Sequence, residues 1–137
     1  MKIKKFEDIH AWREARILAN MVFDVIKNSA ELTTNYRFKD QIVASSISVM
    51  ANIAEGFSRR SNKEFIQFLF ISKASLAELQ SHLYVALDQD FVSTDIFKNI
   101  YEQTEKTAKL ISKFISYLLS FNKTEKQPNK LKKLNKP

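Results

Sequence analysis

Apolar residues recur every three or four positions along most of this chain, and no segment shows the strict alternation of a half-buried strand. From about Glu7 to Asn28, Ile9, Trp12, Ala15, Ala19, Val22 and Ile26 fall on one helical face. From about Asn35 to Glu55 the stripe is Phe38, Ile42, Ser46, Val49 and Ile53, with Val43, Ile47, Met50 and Ala54 beside it. A third helix is predicted from about Asn62 to Asp88, with Phe65, Leu69, Leu76, Leu79, Leu83 and Leu87 inward and Phe68, Phe70, Ile71 and Tyr84 widening the apolar surface. The fourth opens near Ser93 or Thr94 and ends near Phe121, with Phe97, Ile100, Thr104, Ala108, Ile111, Ile115 and Leu118 in register.

Connections of about four to seven residues make successive helices antiparallel neighbours. The pattern therefore predicts an all-α fold, an antiparallel up-down-up-down four-helix bundle. The second helix carries small residues on several sides (Ala44, Ser45, Ser46, Ser48, Ala51, Ala54), which predicts close helix approach and makes it the expected most buried element. The apolar surface exceeds what one such bundle needs, which predicts self-association.

The stretch SVMANIAEGFSRRSNKEFIQFL, residues 48–69, holds the chain's only glycine. Local chemistry reads Gly56 as a helix stop. Ser61 and Glu64 have capping-box spacing, which starts the next helix. Both prolines, Pro128 and Pro137, come after the last periodic segment, so none interrupts a helix.

Composition adds constraints. The absence of cysteine excludes disulfides and thiolate metal sites. The N-terminus lacks the apolar stretch of a signal peptide, and no run approaches the ~18 apolar residues of a membrane span, so a soluble, cytoplasmic protein with no membrane partner is expected. Of the formal charge of +7, most sits in residues 122–137, where six lysines face one glutamate; removing these from the totals of 22 and 15 leaves 16 basic and 14 acidic residues in 1–121. The expected organisation is a folded domain over 1–121 and a basic tail over 122–137 too polar to order itself.

The run Ser48-Val49-Met50-Ala51-Asn52-Ile53-Ala54-Glu55-Gly56-Phe57, then Arg59 and Ser61-Asn62-Lys63-Glu64-Phe65-Ile66-Gln67-Phe68-Leu69, resembles the signature of the bacterial four-helix-bundle family encoded in intervening sequences of 23S ribosomal RNA genes. That family includes the accessory variability determinant of diversity-generating retroelements. Phe6, Asp8, Ile9, Trp12 and Ala15 are similar to the family's opening, and Ser75-Leu76-Ala77-Glu78-Leu79 to its third-helix motif; the likeness covers roughly residues 6–119. The resemblance implies a ring-like homopentamer and, for the retroelement branch, nucleic-acid binding and a reverse transcriptase partner. Two positions depart from the family pattern. Val43-Ala44 stands where a basic pair commonly follows Gln-Ile, and Ala74 where glycine tends to precede the serine.

Several side chains then need a role. Asn52, Glu55, Arg59, Ser75 and Glu78 are the polar residues of the signature. With no activated nucleophile and base among them, they read as a structural polar network, Asn52 and Glu55 meeting Arg59 at the corner. A di-iron site would need Glu-x-x-His on two helices. Glu7-Asp8-Ile9-His10 supplies that motif once and His82 has no matching partner, so both histidines read as surface or packing residues. Trp12 reads as core rather than as a base-stacking platform. The nucleic-acid candidates are Lys2, Lys4 and Lys5, Arg59 and Arg60, and Lys123, Lys126, Lys130, Lys132, Lys133 and Lys136 in the tail, all suited to phosphate rather than base recognition. The sequence thus predicts a non-enzymatic, cofactor-free oligomeric scaffold that binds RNA or DNA. The competing expectation is a protein-interaction scaffold with an incidental tail.

Overall fold

A single aspartate divides the first predicted helix. In the computed structural model, which describes residues 2–124, the Asp8 carboxylate accepts the amides of Lys4 at 3.0 Å and Lys5 at 3.2 Å, closing a 3-10 turn at Phe6–Asp8. Ile9 is extended, and α1 begins only at His10. The other elements are α2 (Ala30–Thr34), α3 (Tyr36–Phe57), α4 (Asn62–Asp88) and α5 (Thr94–Thr124), with α1 ending at Lys27. Among the described residues there is no strand. The helix α5 runs three residues past its expected end at Phe121.

Caps account for the boundaries. The expected loop between the first two long helices contains α2, because Ser29 Oγ accepts the Leu32 amide at 3.2 Å and the Thr33 hydroxyl donates to the Ile26 carbonyl at 2.8 Å. Leu32 is thereby buried under the turn. Ser61 caps α4 by accepting the Glu64 amide at 3.2 Å, while no hydrogen bond returns from the Glu64 carboxylate, so the expected capping box is half formed. At the other end of α4, Asp90 adopts φ 61°, its amide bonding to the Leu87 carbonyl and that of Phe91 to the Ala86 carbonyl. This is a Schellman motif with aspartate in the position glycine usually takes.

The helix α1 packs against α3 and α5, and α4 packs against the same two; the most extensive contact is α3 with α4. Leu18, Ile53, Leu69, Leu76, Leu79, Ile111 and Leu118 fill the core. The α3–α4 seam is tight enough for hydroxyls to cross it. Ser72 Oγ donates to the Val49 carbonyl at 2.6 Å, and the Ser48 and Ser75 hydroxyls lie 2.8 Å apart.

The structure departs from two further sequence expectations. First, Gly56 does not stop a helix. The helix ends one residue later, at Phe57, but Gly56 lies inside its last turn with no positive φ; a β-carbon there would stand 2.8 Å from both Phe65 Cδ1 and Phe68 Cβ. The glycine is required by the approach of α4, not by chain reversal. Second, α3 is not the most buried element. Six of its 22 residues are buried against eight of 18 in α1, because its second stripe is only partly covered: Val43, Met50 and Ala54 are half-buried against the core and Ile47 remains 42% exposed.

Candidate nucleic-acid interface

The fold gathers basic groups that are far apart in sequence. A run of aromatic rings ties the α3–α4 corner to the end of α5: Phe57 to Phe65 (6.1 Å between centroids), Phe65 to Phe114 (5.4 Å), Phe114 to Tyr117 (6.0 Å) and Tyr117 to Phe121 (5.0 Å). The N-terminal segment joins the same end, since Ile3, Ile9 and Ala11 share a cleft with Leu110, Phe114 and Tyr117. Lys2, Lys4, Lys5, Arg60, Lys63 and Lys113 are all exposed on these elements. Lys123 falls in the last turn of α5, while Lys126, Lys130, Lys132, Lys133 and Lys136, and with them most of the tail predicted to be disordered, lie outside the described residues. Lys63 and Lys113 were missed by sequence reasoning, because helical lysines carry no signal until the fold shows which end they occupy.

The opposite end differs in charge. There the exit of α1, the α4–α5 turn and the start of α5 place Asp24 and Asp90 around one cleft with Val25 and Ile96, and Asp88 and Asp95 lie on the adjoining turns. Cations predominate at the first end, whereas here the four aspartates stand among Lys27 and Lys98.

Arg59 is half-buried. Its Nη2 donates to Glu55 Oε1 at 3.1 Å and its guanidinium carbon lies 4.6 Å from the centre of the Phe68 ring. The pair forms as expected, but Asn52 does not join it. Asn52 Nδ2 donates instead to the Ser48 carbonyl at 2.8 Å and to the Ser48 hydroxyl at 2.9 Å, and through Ser48 reaches Ser75. Glu78 is exposed and makes no hydrogen bond or ion pair among the described residues. The predicted five-residue network is therefore two separate motifs, one at the seam and one at the corner. This leaves Arg60 as the corner's exposed arginine.

A polar site that sequence reasoning passed over joins α1 to α5. Glu14 is 9% exposed; Gln103 Nε2 donates to its Oε1 at 3.0 Å and to its backbone carbonyl at 3.0 Å, while Lys106 Nζ is 3.1 Å from the same Oε1. His10 Nε2 stands 3.6 Å from Oε2. The Gln103 hydrogen bond is the main cause holding the Glu14 carboxyl below its ordinary range, with Lys106 and His10 adding to it against the opposing effect of burial. The arrangement is a structural clamp. Gln103 and Lys106 both engage its Oε1, and among the described residues no three His, Cys, Asp or Glu side chains group as a metal site requires.

Trp12 is buried, edge-on to Phe6 at 5.0 Å, as core packing predicts. His10 is exposed, and His82 packs edge-on to Phe38. Asn62, the first residue of α4, is 2% exposed with neither amide oxygen nor nitrogen hydrogen-bonded. Among the described residues no helix is long and apolar enough to cross a membrane.

Comparison with known proteins bears on the family and the fold. A family model described as 23S rRNA-intervening sequence protein matches residues 7–113. Among solved structures, one similar chain is a protein of unknown function from the S23 ribosomal protein family of Bacteroides thetaiotaomicron. Its TM-score is 0.71 at 20% identity, over 77% of this chain and 97% of that one. At that identity the likeness speaks for the fold alone. No curated protein matches the sequence.

Proposed function

The chain belongs to the 23S rRNA-intervening sequence protein family, and from that membership and the charge distribution we propose a non-enzymatic, self-associating scaffold whose basic end binds nucleic acid. The observation that carries the proposal is the convergence of the N-terminal lysines, Arg60, Lys63, Lys113 and the root of the lysine tail on one end of the molecule. Cations clustered at one end steer a polyanion toward it.

In this reading the four long helices form an antiparallel up-down-up-down bundle, and copies associate through apolar surface left uncovered on α3 and α4. Ile47, Phe70, Ile71, Tyr84 and Val85 are each more than two-fifths exposed, a surplus suited to burial between subunits. A closed ring, pentameric as in the family, would present the basic ends repeatedly and add avidity. Lysine-dominated contacts bind phosphate with little base preference, so affinity would depend steeply on salt.

The test is fluorescence anisotropy of labelled structured RNA and duplex DNA at two salt concentrations, with the full chain and a chain ending at Phe121. If about five phosphates are neutralised per protomer, the log-log slope on duplex DNA is about −4 to −5. Truncation removes the tail's share, and replacing Arg60 and Lys63 with alanine reduces what remains. Salt-independent binding, or none at all, refutes the proposal; light scattering of the same samples reads the oligomer.

A further inference from the structure

The cleft at the basic end has a volume of about 280 Å³, near the lower bound for small-molecule sites, with room for one planar ring system rather than a helix. Its floor is apolar, formed by Ile9, Ala11, Leu110 and Phe114. One wall is aromatic. Tyr117 lies parallel to Phe114 with 19° between ring planes, meets Phe121 edge-on at 5.0 Å and is still 45% exposed, which leaves part of its ring open to a ligand. The rim is polar, with Lys113 and His10 as donors and the Asp8 carboxylate as acceptor.

We propose that this cleft receives a single unpaired nucleobase, stacked on Tyr117, while the flanking phosphates meet Lys113 and the N-terminal lysines. The proposal rests on the nucleic-acid reading above and narrows it to single-stranded segments. A base paired in a duplex is stacked on both faces and has no ring surface to offer. An extruded or unpaired base can insert, and aromatic platforms beside cationic tracks are how single strands are held without sequence preference. Asp8 fits the same picture. Hydrogen bonds from the Lys4 and Lys5 amides fix its carboxylate at the rim, where it can accept from an exocyclic amine, and Lys4 and Lys5 themselves supply the cations next to it.

The experiment compares three labelled ligands of equal length against the full chain at one low salt concentration: a single-stranded RNA, the same backbone carrying abasic sites, and a blunt RNA duplex. The base-bearing strand is expected to bind about 10-fold more tightly than the abasic one, the size of one aromatic stacking contact. Tyr117→Ala should erase that difference without changing affinity for the abasic strand or the duplex, and Tyr117→Phe should keep it. Equal binding of base-bearing and abasic strands overturns the cleft's role while leaving phosphate binding by the basic end intact. So does a Tyr117→Ala effect spread evenly over all three ligands. Failure of all three to bind overturns both readings.

Discussion

Replacing Gly56 with alanine sets two measurable quantities against each other. In a helix interior alanine is favoured over glycine by about 1 kcal/mol, an upper bound for Gly56 in the last turn of α3, where no positive φ reverses the preference. Against this, the new methyl carbon would meet Phe65 Cδ1 and Phe68 Cβ at 2.8 Å and Phe65 Cε1 at 3.3 Å, where unstrained carbon contacts lie at about 3.5–4.0 Å. The Phe68 contact decides the sign. A β-carbon moves only with its backbone, so α4 must retreat from α3 along the most extensive seam of the molecule. The other contact is to the ring of Phe65, which is 3% exposed and wedged between Phe57 and Phe114. Overpacking of this kind costs about 1–3 kcal/mol, with this site near the upper end, so the net effect of Gly56→Ala is a loss of about 1–2 kcal/mol. Urea denaturation followed by circular dichroism measures it. Ala51→Gly, at an exposed position in the same helix, calibrates the propensity alone and should cost about 1 kcal/mol. A Gly56→Ala protein as stable as the parent, or more stable, would refute the close approach as the reason for this glycine.

Other substitutions probe the remaining features. Asp90→Gly should stabilise by about 0.5–1 kcal/mol, because glycine relieves the left-handed backbone at φ 61° that closes α4; a lower thermal midpoint would contradict the capping assignment. The depressed Glu14 carboxyl contributes stability that is fully present above the ordinary glutamate range and is lost as pH falls through its folded value. Denaturation midpoints of the parent should therefore drop more steeply on acidification than those of Glu14→Gln, and parallel curves would count against the clamp. A buried amide without partners costs about 1–3 kcal/mol, so Asn62→Leu should hold or raise stability by roughly that amount. A destabilised variant would show that the amide has a partner, such as an ordered water.

The helices were legible because burial imposes a period, and every residue assigned to the inner face of the first helix is buried. What escaped were features whose cause lies elsewhere in the chain. Glu14 carries no signal of its role in the sequence, since its partner Gln103 is 89 residues away. Gly56 looked like a stop because the phenylalanines that exclude a side chain belong to the next helix. The turn at Asp8 and the short α2 were local in origin and readable in principle, but side-chain-to-backbone bonds from Asp8 and Ser29 compete with a helical period rather than interrupting it. The basic residues were all visible as residues; their assembly on one end required the packing of the N-terminal segment and the end of α5 near the α3–α4 corner.

The seam between α3 and α4 also bears on the order in which the molecule forms and opens. These helices are joined by only the four residues 58–61, so their contact closes a short loop at small entropic cost, whereas the α1–α5 clamp joins positions almost ninety residues apart. The hairpin is then the early-forming unit and α1 and α5 the late ones. Reversed, that order makes the helices bearing the two basic termini the first to separate in sub-global opening. The amides of α3 and α4 should accordingly be the slowest to exchange with solvent, and α1 and α5 can loosen while α3 and α4 stay together.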